Sequence, residues 1–176
     1  YYWGSPKDFD KKVALDQRRL WSFLHATQQE ELDRYVGKDL KCDVEKQIDA
    51  DIRTFGIIQV LRKGIEVNNI KLTLFYPKPS AADSDISRKQ YAGNQFSVTR
   101  QQTFSISNPG LEIDMVLYVN GIPLFTFELK NPWTHQTAKY DGQKQYKSAE
   151  RTPQEPLLNF GRCLAHFTLD KDEVFF

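Results

Sequence analysis

Asp114, Glu128 and Lys130 are the residues of this chain whose types and spacing could do chemistry. Asp114 lies in the run EIDMVLYV, residues 112–119. Glu128 and Lys130 lie in IPLFTFELK, residues 122–130, and Asn120-Gly121 separates the two runs. An acid on one strand followed by Glu-x-Lys on the next is the set a Mg²⁺-dependent phosphodiesterase uses. A carboxylate pair binds a hard, oxygen-seeking ion and leaves positions for water and phosphate. The ion polarises a phosphoryl oxygen and lowers the pKa of a bound water. A lysine beside the same pocket can orient or deprotonate that water, or stabilise charge developing on phosphate. The bare pattern is common: a chain of this length shows it by chance roughly one time in three. Geometry has to add weight.

The two strands supply some. Side chains alternate faces along a strand. Ile113, Met115, Leu117 and Val119 share one face, and Phe125, Phe127 and Leu129 share one face of the second run. The two apolar stripes should bury together, because a one-residue slip would put one of them in water. Paired positions must then sum to an even number. A two-residue Asn120-Gly121 turn gives an odd sum, whereas a three-residue loop with Gly121 left-handed gives an even one. In that register Tyr118 faces Ile122 and Asp114 pairs with Thr126. Glu128 becomes the diagonal neighbour of Asp114, about 7–8 Å away at Cα. The alternative is a solvated face carrying an ordinary ion pair.

The flanking elements carry their own signals. Ser5-Pro6-Lys7-Asp8 is a helix-start signal, and Thr27-Gln28-Gln29-Glu30 is a second capping box. Val44, Ile48, Ile52 and Phe55 predict a helix from about Asp43 to Lys63, with Gly64 as its stop. Strands are expected over 70–76, 95–99, 103–106 and 163–169, with another opening at Val174. Residues 80–88 read as a loop and 136–149 as a polar helix. The fold class is α/β: a mixed, mostly antiparallel sheet flanked by helices, with a helical part at 1–66 and a sheet core at 67–176 of a single domain.

Composition bounds the rest. The chain has 176 residues, 40% of them hydrophobic, which suffices for one ordinary core. Lys plus Arg number 24 against 23 for Asp plus Glu. Any nucleic-acid contact therefore needs a local basic patch rather than a global charge. No run is long enough for a transmembrane helix, no signal peptide is recognisable, and no membrane partner is expected. Cys42 and Cys163 are isolated, as free thiols of a reducing cytosol would be. The first residue is Tyr1 and the last run is apolar, so the chain reads as a piece of a longer protein.

The wider text around the acids is more specific than the acids alone. Ile113-Asp114-Met115-Val116, Val119-Asn120-Gly121-Ile122-Pro123-Leu124 and Phe127-Glu128-Leu129-Lys130-Asn131-Pro132 resemble the PD-(D/E)xK nuclease superfamily. Within it they are similar to the N-terminal endonuclease domain of the motor (HsdR) subunit of type I restriction enzymes. The similarity extends from the helical N-terminal region through Gly142-Gln143-Lys144-Gln145-Tyr146 and Arg162-Cys163 to the C-terminus. The resemblance implies a restriction-endonuclease-like core and a Mg²⁺-dependent double-strand DNA endonuclease of a bacterial or archaeal cytoplasm. Asp114, Glu128 and the Leu129 carbonyl would hold the metal, and Lys130 would be the catalytic lysine. It also implies a Gln-x-x-x-Tyr motif after that lysine. Gln143 and Tyr146 are preferred for it although one residue too close, and Gln136 and Tyr140 are the alternative. Finally, it implies an ATP-driven motor further along the subunit and partner methylation and specificity subunits. This chain carries no Gly-x-x-x-x-Gly-Lys-Ser/Thr of its own, so ATP enters only through the motor, and the isolated domain is expected to be nearly inactive.

Arg100, Lys139, Lys144 and Lys147 are the candidates for DNA phosphate, against the reading that they are solvated surface charges. His25, His135 and His166 lack metal spacing; His166 reads as a satisfied core or edge histidine. Trp133 reads as packing and His135 as a candidate phosphate contact. The competing function is a catalytically silent DNA-binding or subunit-docking module of the same fold, which an intact Asp, Glu and Lys argues against.

Overall fold

The computed structural model describes residues 1–131, 137–148 and 154–176. Ten strands are assigned among them: β1 (Tyr2–Trp3), β2 (Phe9–Asp10), β3 (Leu15–Asp16), β4 (Ile65–Val67), β5 (Ile70–Leu72), β6 (Phe96–Thr103), β7 (Glu112–Val119), β8 (Ile122–Leu129), β9 (Ala165–Leu169) and β10 (Val174–Phe175). The helices are α1 (Gln17–Asp33), α2 (Leu40–Phe55), α3 (Ile57–Lys63), α4 (Asp85–Ala92) and α5 (Gln143–Tyr146). The main sheet has six strands in the order β1-β6-β7-β8-β9-β10. β6, β7 and β8 form an antiparallel meander, β9 joins β8 in parallel, and β10 closes antiparallel to β9. β1 runs parallel to β6. The expected α/β class with a mixed sheet is what the chain adopts. Among the described residues no helix is long and apolar enough to cross a membrane.

Two apolar clusters hold it together. One lies among α1, α2, α3 and the β4–β5 hairpin, with Phe23, Leu24, Ile48, Ile52 and Leu72 buried in it and Ile122 joining from β8. The other lies against the sheet and joins Phe9, Phe104, Val116, Tyr118, Leu157 and Cys163. Each such large side chain contributes about 1.5–3 kcal/mol by leaving water. Arg162 ties the two together. Its guanidinium is fully buried, donates to the Val13 carbonyl at 3.0 Å, and pairs with Asp49 of α2. Cys42 and Cys163 are free thiols. Burial pushes the Cys163 thiol up to about 12, so it stays protonated and unreactive.

Several expected boundaries move, each for a local reason. The Ser5 signal opens a single 3₁₀ turn, Pro6–Asp8, and the first long helix starts at Gln17, capped by Asp16. The second capping box falls at a kink: Gln28 leaves helical geometry at φ −145° and exchanges two hydrogen bonds with the Thr73 backbone. The helix expected over 43–63 is two helices, because Gly56, at φ 77°, breaks it between Phe55 and Ile57. Part of the expected loop at 80–88 is helical, since Ser84 caps α4 by accepting from Ser87 N–H. The strands expected at 95–99 and 103–106 are one strand, β6.

The central hairpin corrects the register. Val119 pairs with Ile122 across a two-residue turn in which Asn120 and Gly121 are both left-handed, at φ 51° and 78°. That is the primed geometry favoured for Asn-Gly hairpins. An extra residue then enters β8 between Pro123 and Phe125, and beyond it Leu117 pairs with Phe125, Val116 with Thr126 and Met115 with Phe127. The even sum demanded by the apolar stripes is met, but by a bulge inside the strand at Leu124 rather than at the turn. Thr126 faces Val116, not Asp114. The stripes do share a face. It is not the buried face that the stripes predict: Met115, Leu117, Phe125 and Phe127 are half-buried, whereas Val116, Tyr118, Thr126 and Glu128 on the opposite face are buried.

Candidate active site

Carrying the observed register one step past Met115–Phe127 sets Asp114 beside Glu128, on the same face of the sheet. The bulged-turn register predicts diagonal neighbours, so the observed pairing brings the two acids closer together than expected. Asp114 Oδ2 accepts from the Leu129 N–H at 2.7 Å. Glu128 is 1% exposed, and the Lys130 side chain is 9% exposed. Lys130 Nζ donates to Glu128 Oε2 at 3.5 Å and to Gln145 Oε1. Its backbone N–H donates to the Leu169 carbonyl at 2.8 Å, which ends β8 against β9. In such a poorly solvated place the attraction between carboxylate and ammonium is stronger than in water, and the desolvation of both groups opposes it.

The opposite side of Asp114 is unusual backbone. β6 pairs Arg100 with Met115 and Gln102 with Ile113, so Gln101 falls opposite Asp114. Gln101 has φ 51°, a left-handed value inside a strand. A non-glycine residue held there is strained, and such strain persists only where the surroundings impose it.

Residues 137–148, between β8 and β9, cover this face. They contain a π-turn, Ala138–Gly142, succeeded by the single turn of α5. Gln145 and Tyr146 point back to the sheet: Gln145 meets Lys130, and Tyr146 Oη lies 2.7 Å from Thr126 Oγ1. The glutamine that reaches the lysine is therefore Gln145, while Gln143, the expected one, supplies a backbone carbonyl to the helix end at Lys147. A π-turn rotates the residues after it relative to a straight α-helix, and sequence spacing does not reveal it. Of the alternative pair, Tyr140 is 69% exposed. Trp133, His135 and Gln136 lie outside the described residues.

Of the expected phosphate contacts, Lys139, Lys144 and Lys147 lie exposed along this covering segment. Arg100 is exposed opposite Met115, and strand alternation sends it to the face away from Asp114. Thr126, His166 and Thr168 were not foreseen as part of the site; the parallel pairing Thr126–His166 and Glu128–Thr168 brings them onto its face.

The donor set suits one kind of ion. Among the described residues no group of three His, Cys, Asp or Glu side chains could hold a metal. Two carboxylates with open positions are what Mg²⁺ takes, since it keeps several waters and binds through one or two carboxylates plus phosphate.

No curated protein and no solved structure matches the chain. One family does match, over residues 12–176. The chain belongs to the family of the type I restriction enzyme R protein N terminus.

Proposed function

We propose that this chain is a Mg²⁺-dependent endonuclease domain that hydrolyses DNA phosphodiester bonds. The family implies the nuclease part of a type I restriction enzyme R subunit. The observation that carries the catalytic reading is the convergence at the end of β8. Asp114 and Glu128 lie side by side, and Lys130 Nζ is held between Glu128 and Gln145. Asp114, Glu128 and the Leu129 carbonyl would hold the Mg²⁺. When bound, that ion supplies Lewis-acid polarisation of the phosphoryl oxygen.

The chain's own residues do the rest. Glu128 and Gln145 fix the ammonium of Lys130 so that one of its protons points at the attacking water or the developing phosphate charge. Tyr146 anchors the turn that carries Gln145. Lys139, Lys144 and Lys147 line the approach and hold DNA by its phosphates, a contact that orders position without reading sequence. In the whole R protein, working with methylation and specificity subunits in the cytoplasm, cleavage depends on ATP-driven translocation by the motor part.

Metal removal tests this reading. The complete enzyme, stripped with a chelator and resupplied, should cut DNA with Mg²⁺ and not with Ca²⁺, which is too large and flexible in coordination to substitute. Because ATP use also needs Mg²⁺, the assay is run on DNA already brought to the cleavage stage, with the ion exchanged at that point. Equal cutting in chelator would overturn the proposal.

A further inference from the structure

The strand β9 and the residue just past it present three side chains of one face to the covering segment: His166, Thr168 and Asp170. Each fixes a different point of it. Asp170 Oδ2 accepts from the Ala138 N–H at 2.9 Å. Three backbone N–H groups, of Ala138, Asp172 and Glu173, hold that carboxyl below its usual range. Thr168 Oγ1 donates to the Ala138 carbonyl at 3.2 Å. Gly142 sits so close to Thr168 Oγ1 that a Cβ there would collide with it. At the far end Thr126 Oγ1 lies 2.7 Å from both Tyr146 Oη and His166 Nδ1. Residues 138, 142 and 146 therefore meet 170, 168 and 166 in turn.

The first two points involve the covering segment's backbone. The third runs through side chains and depends on where protons sit. Thr126 Oγ1 has one proton and two close partners. The Tyr146 phenol is a donor. If His166 Nδ1 accepts, the chain is ordered: Tyr146 donates to Thr126, and Thr126 donates to His166. Thr126 is fully buried, so a lost hydrogen bond there cannot be replaced by solvent. Burial lowers the pKa of His166 and favours the neutral ring that this order requires.

We propose that His166 is a positioning residue of the nuclease site: its Nδ1 acceptor sets the direction of the Tyr146–Thr126–His166 hydrogen bonds and so pins the turn that places Gln145 on Lys130. The inference rests on the nuclease reading, since it concerns how Lys130 is aimed. It assigns His166 no contact with DNA or metal.

The test uses the complete R protein with its partners and measures cleavage of closed-circular DNA, with ATP hydrolysis and circular dichroism as checks on folding. His166→Leu removes the acceptor and is expected to slow cleavage about 10- to 100-fold, the range that a misplacement of about 1 Å costs. His166→Asn, whose Oδ1 falls near the Nδ1 position, is expected to restore the rate to within about threefold of wild type. Thr126→Val, close to isosteric, should match His166→Leu, which keeps the test open if that variant fails to fold. A wild-type rate in His166→Leu, or in Thr126→Val should His166→Leu fail to fold, would overturn the inference. Equal damage in His166→Asn and His166→Leu would overturn it too, because ring packing rather than the acceptor would then matter. Lys130→Ala, run alongside, separates the two levels: an active Lys130→Ala sinks the nuclease reading itself, whereas an inactive one beside a fully active His166→Leu sinks only the positioning role.

Discussion

Replacing Asp114, Glu128 or Lys130 singly with alanine in the complete R protein is expected to lower DNA cleavage at least about a thousandfold and leave ATP hydrolysis near wild type. A thousandfold is about 4 kcal/mol of lost transition-state stabilisation. Removing one preorganised group from a site of this kind costs about 100- to 1,000-fold by itself. The three losses differ in cause. Asp114→Ala frees the Leu129 N–H that its Oδ2 holds and removes one carboxylate of the metal pair. Glu128→Ala removes the second carboxylate and leaves the Lys130 ammonium, in a side chain 9% exposed, without its anion. Lys130→Ala leaves both carboxylates and removes the proton donor, so it should bind metal and fail to cut. Cleavage and ATP consumption measured on the same preparations distinguish these outcomes from a folding defect. Normal cleavage by any of the three variants would remove that residue from the site.

The second large effect lies far from the chemistry. Arg162→Ala is expected to destabilise this chain by about 3–5 kcal/mol, the range for breaking a buried ion pair by removing one partner. Arg162 is the largest fully buried side chain among the described residues. Its loss takes the donor from the Val13 carbonyl, leaves Asp49 with Arg53 alone as countercharge and leaves the largest fully buried side-chain volume unfilled. The position is costly even in the native protein. Burial works against the charged guanidinium, the Asp49 carboxylate works for it, and the Arg162 Nε has no hydrogen-bond partner among the described residues. The double variant Arg162→Met with Asp49→Leu should therefore recover more than half of the loss, since apolar groups of similar volume often replace a buried pair without penalty. Thermal unfolding reads both, with the melting temperature of Arg162→Ala lower by roughly 10 °C for a chain of this size. A shift of a degree or two would mean that Arg162 is solvated in solution.

How much of this was legible in the residues depends on whether the deciding partner was local. The apolar stripes of β7 and β8 correctly demanded an even register, because side-chain alternation is a property of the strand alone. Where the extra residue enters was not legible. Asn120 holds a left-handed backbone with tertiary help: its side chain donates to the Leu74 carbonyl and to Asn94 Oδ1 and accepts from the Gln95 N–H. Gly121 lies so tightly against Asp16 and Leu20 that a Cβ would collide with both. Those partners are remote in sequence, and they fix the two-residue turn and leave the bulge to Leu124.

The acids and the lysine stand out by type and spacing, and their common face survives the change of register. Gln145 rather than Gln143 touches Lys130 because the π-turn before it shifts the helix face, and nothing in the residue types Ala138 to Gly142 announces a π-turn. His166 was seen as a satisfied histidine, which it is. What satisfies it, a threonine two residues from Glu128 on the neighbouring strand, only the parallel β8–β9 pairing shows. Arg100 is a phosphate candidate by charge alone, and the pairing with Met115 puts it on the other face.

The claim at the centre is that Asp114 and Glu128 hold one divalent ion. Loading the R protein with Fe²⁺ in place of Mg²⁺ and adding ascorbate and peroxide cuts the backbone next to the bound ion. The cuts are expected beside Asp114 on β7 and beside Glu128 on β8, suppressed by excess Mg²⁺ and absent in Glu128→Ala. Cuts elsewhere in the chain, or cuts at the same two places that persist in Glu128→Ala, would contradict a metal site on this hairpin.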